Sequence, residues 1–163
     1  MAFPCTPKDW VVDNGPMDGA MASVQFLMYP LGHTRQSAIS HGAFIYGKIV
    51  PKSEEYPTME DLAAADEQRV LERCPTATFE RLPPAERKRQ PGETLLRVGR
   101  IHGGYKGPEY SLYIDHPKGV LLLVLMCPEG EDLIHLPALK SIAEDVFFRE
   151  LFLREESRMT KPS

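Results

Sequence analysis

The eight residues Val120-Leu121-Leu122-Leu123-Val124-Leu125-Met126-Cys127 carry no charged or hydrogen-bonding side chain apart from the terminal thiol, and they show no alternation. A strand with one wet face alternates apolar and polar residues with a period of two; a strand that is apolar at every position needs cover on both faces. The run is far short of the ~20 apolar residues that a membrane-spanning helix requires. The expectation is therefore a soluble chain whose sheet has a central strand here, with structure packed on each side.

Strands to flank it can be read on both sides. Glu109 to Ile114 and Thr94 to Ile101 are rich in β-branched and aromatic residues, and Asp115-His116-Pro117-Lys118-Gly119 reads as a five-residue hairpin loop into Val120. Earlier, Lys8 to Val12 predicts a short strand with Trp10 buried, Ala22 to Tyr29 a second and Ala43 to Val50 a third, each closed by a cluster containing Pro or Gly. Thr76 to Leu82 has strand character as well. Cover comes from two helices. Thr58 can cap one that runs to about Arg73, where Pro75 ends it, with Glu60 and Asp61 at its positive end. Pro137 can sit in the first turn of another, with Leu139, Ile142, Ala143, Val146, Phe147 and Leu151 on one stripe. Helices that interrupt a meander, rather than alternating with strands, give an α+β fold with a central antiparallel sheet of six or seven strands.

With 163 residues, 42% of them hydrophobic, the chain is long enough for one domain with a real core, and no repeat divides it. Pro83 to Gly92, which includes Arg87-Lys88-Arg89, is the longest polar, breaker-rich interruption and is expected to be an exposed loop. A formal net charge of -4 argues against nucleic acid as a partner, because phosphate neutralisation calls for a basic face. Cys5, Cys74 and Cys127 form no CxxC pair and are too scattered for a disulfide framework or a zinc ribbon. Met1-Ala2-Phe3-Pro4-Cys5 has no basic segment leading into an apolar stretch, so the chain as given carries no secretory signal. With Met1 as the natural start the expected compartment is the cytoplasm; with a start further upstream it is an exported or periplasmic one.

The order of elements resembles that of the PsbP-like superfamily, which includes a photosystem II extrinsic protein, a Ran-binding nuclear transport factor and many bacterial proteins of unknown role. The resemblance rests on Trp10-Val11-Val12-Asp13, on Tyr56-Pro57-Thr58-Met59-Glu60-Asp61-Leu62 at a helix start, and on Tyr110 through Cys127 followed by a terminal helix. It is strongest to exported bacterial members, whose domain begins with a comparable strand after a signal peptide. The resemblance implies a scaffold that docks onto proteins or, in some members, binds metal ions, with no shared active site to carry over. Fold alone does not fix function.

Chemistry has few footholds. There is no GxSxG elbow, Walker loop, HExxH helix or dinucleotide fingerprint. His33, Ser37 and His41 lie close together in what reads as a loop before the third strand, and a serine beside a histidine is the minimum for an activated nucleophile. A hydrolase built there predicts that Ser37 and one of the two histidines meet within hydrogen-bond reach. His33, His41, His102 and His116 are candidate divalent-metal ligands if their loops converge. Gly103-Gly104-Tyr105-Lys106-Gly107 is an anion cradle only in the company of a helix start, and otherwise a hairpin connection. Tyr105 and Tyr110, with His102, are the remaining binding candidates, weighed against simple packing in the sheet. No cofactor is expected. The reading is a non-enzymatic binding or assembly module whose partner is a protein or a small ligand, with the hydrolase and the metal-binding protein as alternatives.

Overall fold

The computed structural model of the chain describes residues 8–13, 15, 23–82, 94–102 and 107–145. Seven strands and three helices follow one another as β1 (Trp10–Asp13), β2 (Phe26–Pro30), α1 (Arg35–Ser40), β3 (Phe44–Pro51), α2 (Met59–Arg73), β4 (Thr78–Leu82), β5 (Thr94–His102), β6 (Glu109–His116), β7 (Gly119–Met126) and α3 (Asp132–Asp145). The strands form one sheet in the order β1-β2-β3-β7-β6-β5-β4, and each neighbouring pair is antiparallel. The fold is α+β.

The uninterrupted apolar run is β7, fourth of seven across the sheet, and its two faces are both covered. Leu121, Leu123 and Leu125 join Phe26, Met28 and Ile45 under Leu139, Ile142 and Ala143 of α3. On the other face Val120, Leu122 and Val124 meet Met59, Leu62 and Ala63 of α2, and beside them Leu27, Tyr29 and Phe44 close on Ala38 of α1. Burying one such aliphatic side chain is worth about 1.5–3 kcal/mol, an upper figure because unfolded chains already bury some surface. β7, with three aliphatic side chains on each face, is therefore where the sheet and all its cover are tied together.

α2 starts where its capping box puts it. The Thr58 hydroxyl accepts the Asp61 N–H at 3.2 Å while the Asp61 carboxylate accepts the Thr58 N–H at 3.1 Å. Three boundaries differ from the sequence reading. The loop between β6 and β7 is two residues, Pro117 and Lys118, because His116 and Gly119 still pair and the Lys118 N–H closes on His116 Nδ1 at 3.2 Å. α3 starts at Asp132, five residues before Pro137, so the proline lies inside the helix. The stretch expected to be a loop before β3 contains α1, a single six-residue helix whose capping box pairs Thr34 with Ser37. Trp10, expected to be buried, is half-buried at the rim of the core, edge-on to His135 with ring centroids 5.7 Å apart. The expected loop at 83–92, Tyr105 with Gly103 and Gly104, and Val146, Phe147 and Leu151 lie outside the described residues.

Antiparallel pairing sorts the connections between two ends of the sheet. The end of β2, the start of β3, the end of β7, the start of β6 and the end of β5 share one end, as the pairs Phe44↔Met126 and Glu109↔Met126 show. α1, the 127–131 turn and the first turn of α3 therefore gather there, while Pro117-Lys118 marks the opposite end.

Candidate functional site

At the first of these ends, α1 brings the candidate serine and histidines together. The Ser37 hydroxyl lies 3.0 Å from His33 Nδ1, within the reach that a nucleophile and its base require. The same oxygen accepts the Thr34 N–H at 2.9 Å and can donate to the Thr34 carbonyl at 3.2 Å. A hydroxyl has one proton to give and is here part of a helix cap, so its place is explained by α1 itself. His41 is the residue that ends α1; its N–H donates to the Ser37 carbonyl at 2.8 Å and its side chain is exposed. Among the described residues no carboxylate hydrogen-bonds the His33 ring to orient it. The acid bound to α1 is Asp13, which accepts Arg35 Nε at 2.9 Å, the Tyr29 hydroxyl at 3.1 Å and the Gly15 N–H at 3.0 Å. The Arg35 guanidinium, bound to that carboxylate, holds it at about 2, below its ordinary 3.8. Burial pushes the Tyr29 phenol above its usual value. These groups lock α1 onto β1 and β2.

The histidines do not converge. His102 lies on β5, with β6 and β7 between it and β3, and its Nε2 meets Glu80 of β4 at 3.0 Å. His116 is at the opposite end of the sheet. Among the described residues no three His, Cys, Asp or Glu side chains gather as a metal would need. Tyr110 is buried, and its hydroxyl donates to Asp132 Oδ2 at 2.7 Å, which fastens the start of α3 to β6. A fifth histidine, His135, packs on Trp10 and meets Glu131 Oε1 at 3.2 Å through its Nε2.

What the sequence reading did not pick out is apolar. Four large apolar side chains are exposed among the described residues: Leu31 (60%), Ile39 (36%), Leu133 (78%) and Ile134 (71%). All four stand at the end of the sheet that carries α1 and the start of α3, Leu31 and Ile39 with the helix over one face and Leu133 and Ile134 with the helix over the other. Single exposed aliphatics are ordinary on any surface, but their collection at one end is not what scattering gives. Hydropathy alone could not have found them, since it does not separate these aliphatic residues from the buried ones such as Leu139 and Ile142. No helix among the described residues is long and apolar enough to cross a membrane.

No family model matches the chain, and no curated protein matches it. Among solved structures the chain is similar to the solution structure of cyanobacterial PsbP (CyanoP) from Synechocystis sp. PCC 6803, at 13% sequence identity and a TM-score of 0.49, over 85% of this chain and 81% of that one.

Proposed function

We propose that the chain is a non-enzymatic binding or assembly module that docks a protein partner at the end of the sheet formed by α1 and the first turn of α3. The observation that carries this reading is that the large apolar side chains exposed among the described residues, Leu31, Ile39, Leu133 and Ile134, all belong to the elements at this end, the first two beside one face of the sheet and the last two over the other. A partner that covers them gains the burial that folding left unused. Rigidity supports the same reading, because α1 is held by Asp13–Arg35 and the start of α3 by Tyr110–Asp132, so the end is preorganised and little ordering opposes binding.

A photo-crosslinking residue placed in turn at Ile39, at Ile134 and at Lys118 tests it in the native cells. The expected result is one discrete adduct, the same from Ile39 and Ile134 and absent from Lys118 at the far end. The purified partner should then bind more weakly to a chain carrying Leu31→Ser and Ile39→Ser that melts like the wild type. Adducts that are absent, or as abundant from Lys118, would sink the reading.

A further inference from the structure

The outer side of α3 says more about what such a partner carries. Its inner side is accounted for: Ala138, Leu139, Ile142 and Ala143 lie in the core, Asp132 holds Tyr110 and His135 lies on Trp10. Leu133, Ile134 and Pro137 stand on the opposite side at i, i+1 and i+4, all three exposed, and they make a short apolar stripe over the first turns. Pro137 has no N–H, so the Leu133 carbonyl within that stripe lacks its α-helical donor. Two carboxylates flank the N-terminal end. Glu129 is exposed in the turn at Gly130, and Glu131, one helical turn before Ile134, keeps 45% of its side chain in solvent even with His135 beside it. The first turns thus offer aliphatic surface, two anionic groups and a backbone acceptor, while the nearest exposed cation on the helix, Lys140, is two turns further on.

Resting on the docking reading above, we propose that this face of α3 receives a basic, apolar-anchored segment of a partner protein. Its large apolar side chains lie on Leu133, Ile134 and Pro137, and an Arg or Lys at one end of the segment reaches Glu129 and Glu131. A cation there meets two carboxylates at the edge of a dry contact, the arrangement in which charge complementarity sets register and selects among partners. An acidic segment of the same hydropathy meets like charge and is rejected.

The test uses the full chain and a phage-displayed library of random dodecamer peptides, followed by fluorescence anisotropy with the selected peptides. Selected sequences are expected to combine two or more large apolar residues with Arg or Lys toward one end. Their affinity should fall at least about tenfold on Leu133→Ser with Ile134→Ser, and again on Glu129→Lys with Glu131→Lys. The charge-reversed chain should then prefer the same peptide with its Arg and Lys replaced by Glu. All four residues are at the surface, so melting curves are expected to stay close to the wild type and will show that the variants fold. No enriched peptide, enrichment without a basic bias, or no exchange of preference on charge reversal would overturn the proposal. So would a wild-type dimer in sedimentation that Leu133→Ser with Ile134→Ser dissociates, since the occupant would then be a second copy. If these tests fail while a partner still crosslinks at Ile39, this proposal falls alone; if crosslinking fails as well, the docking reading falls with it.

Discussion

The hydroxyl of Tyr110, on β6, donates to Oδ2 of Asp132, the first residue of α3, at 2.7 Å, and both residues are buried. This bond ties the covering helix to a strand beside the centre of the sheet, at the point where the chain has just left β7. It also keeps a carboxylate at the positive end of the helix dipole without leaving it bare in the core.

Tyr110→Phe is expected to cost about 1–3 kcal/mol, because a buried carboxylate loses a donor. Asp132→Asn keeps an acceptor for the phenol and should cost less. Urea denaturation of the two variants compares them directly. A Tyr110→Phe variant as stable as the wild type would show that the bond does not hold the helix start.

The Asp13–Arg35 pair predicts a dependence on acid. With the folded-state carboxyl at about 2 and its ordinary value at 3.8, the folded protein holds this group ionised where the unfolded chain protonates it. The stability it contributes is present in full above the ordinary value and is lost as pH falls from there through the folded one. Asp13→Asn should lower stability at neutral pH and remove that part of the slope, so melting temperatures of the two proteins should converge toward pH 2. Parallel pH profiles would refute the linkage.

The strands around β7 were legible because each needed only local information: alternation, β-branched composition and a breaker at the end. The same holds for α2, whose Thr58 cap and Pro75 stop lie in the chain itself. α1 was not legible, since six residues carry too little periodicity and its capping box uses Ser37 where Glu or Gln is the familiar partner. The start of α3 was misread because Pro137 suggested a first turn, whereas the anchor that sets the start is Asp132 reaching Tyr110, 22 residues away. The same misplaced start hid Leu133 and Ile134, which become an outward stripe only once the helix is known to begin before them.

Gly107 and Gly130 flank the turn that delivers the chain from β7 to α3, and they are predicted to respond differently to alanine. A Cβ at Gly107 would lie 2.7 Å from the Cys127 carbonyl oxygen and 2.8 Å from the Glu129 nitrogen, both backbone atoms that cannot rotate away. The cost should be in the range of about 1–3 kcal/mol expected of overpacking. At Gly130, with φ of 86°, nothing lies within 4 Å of a Cβ, so alanine there meets only the left-handed backbone penalty of about 1–2 kcal/mol. Because Gly107 holds the turn against β6, its substitution should also weaken any partner docked on the start of α3. Hydrogen exchange across 127–135 reads this out: faster exchange in Gly107→Ala and little change in Gly130→Ala is the expected result.

Asp66 should show the opposite sign to Asp13. It lies on α2 above the sheet, where the Tyr113 hydroxyl donates to it at 2.9 Å and Arg69 and Lys48 bring positive charge, yet burial outweighs all three and pushes its carboxyl above the ordinary 3.8. A carboxyl raised in the folded state binds its proton more tightly there than in the unfolded chain, so its contribution to stability is greatest below 3.8 and is lost as pH rises through the folded value. Asp66→Asn removes that loss and should flatten the profile on the near-acid side. Tyr113→Phe takes away the donor that favours the ionised form, so the folded value should climb further and the loss should extend to higher pH. Chemical denaturation from pH 3 to pH 7 on the wild type and both variants separates the cases. If Tyr113→Phe instead left the profile where it was, the hydroxyl would not be bonded to Asp66 in solution, and α2 would be held over the sheet by Met59, Leu62 and Ala63 without help from this pair.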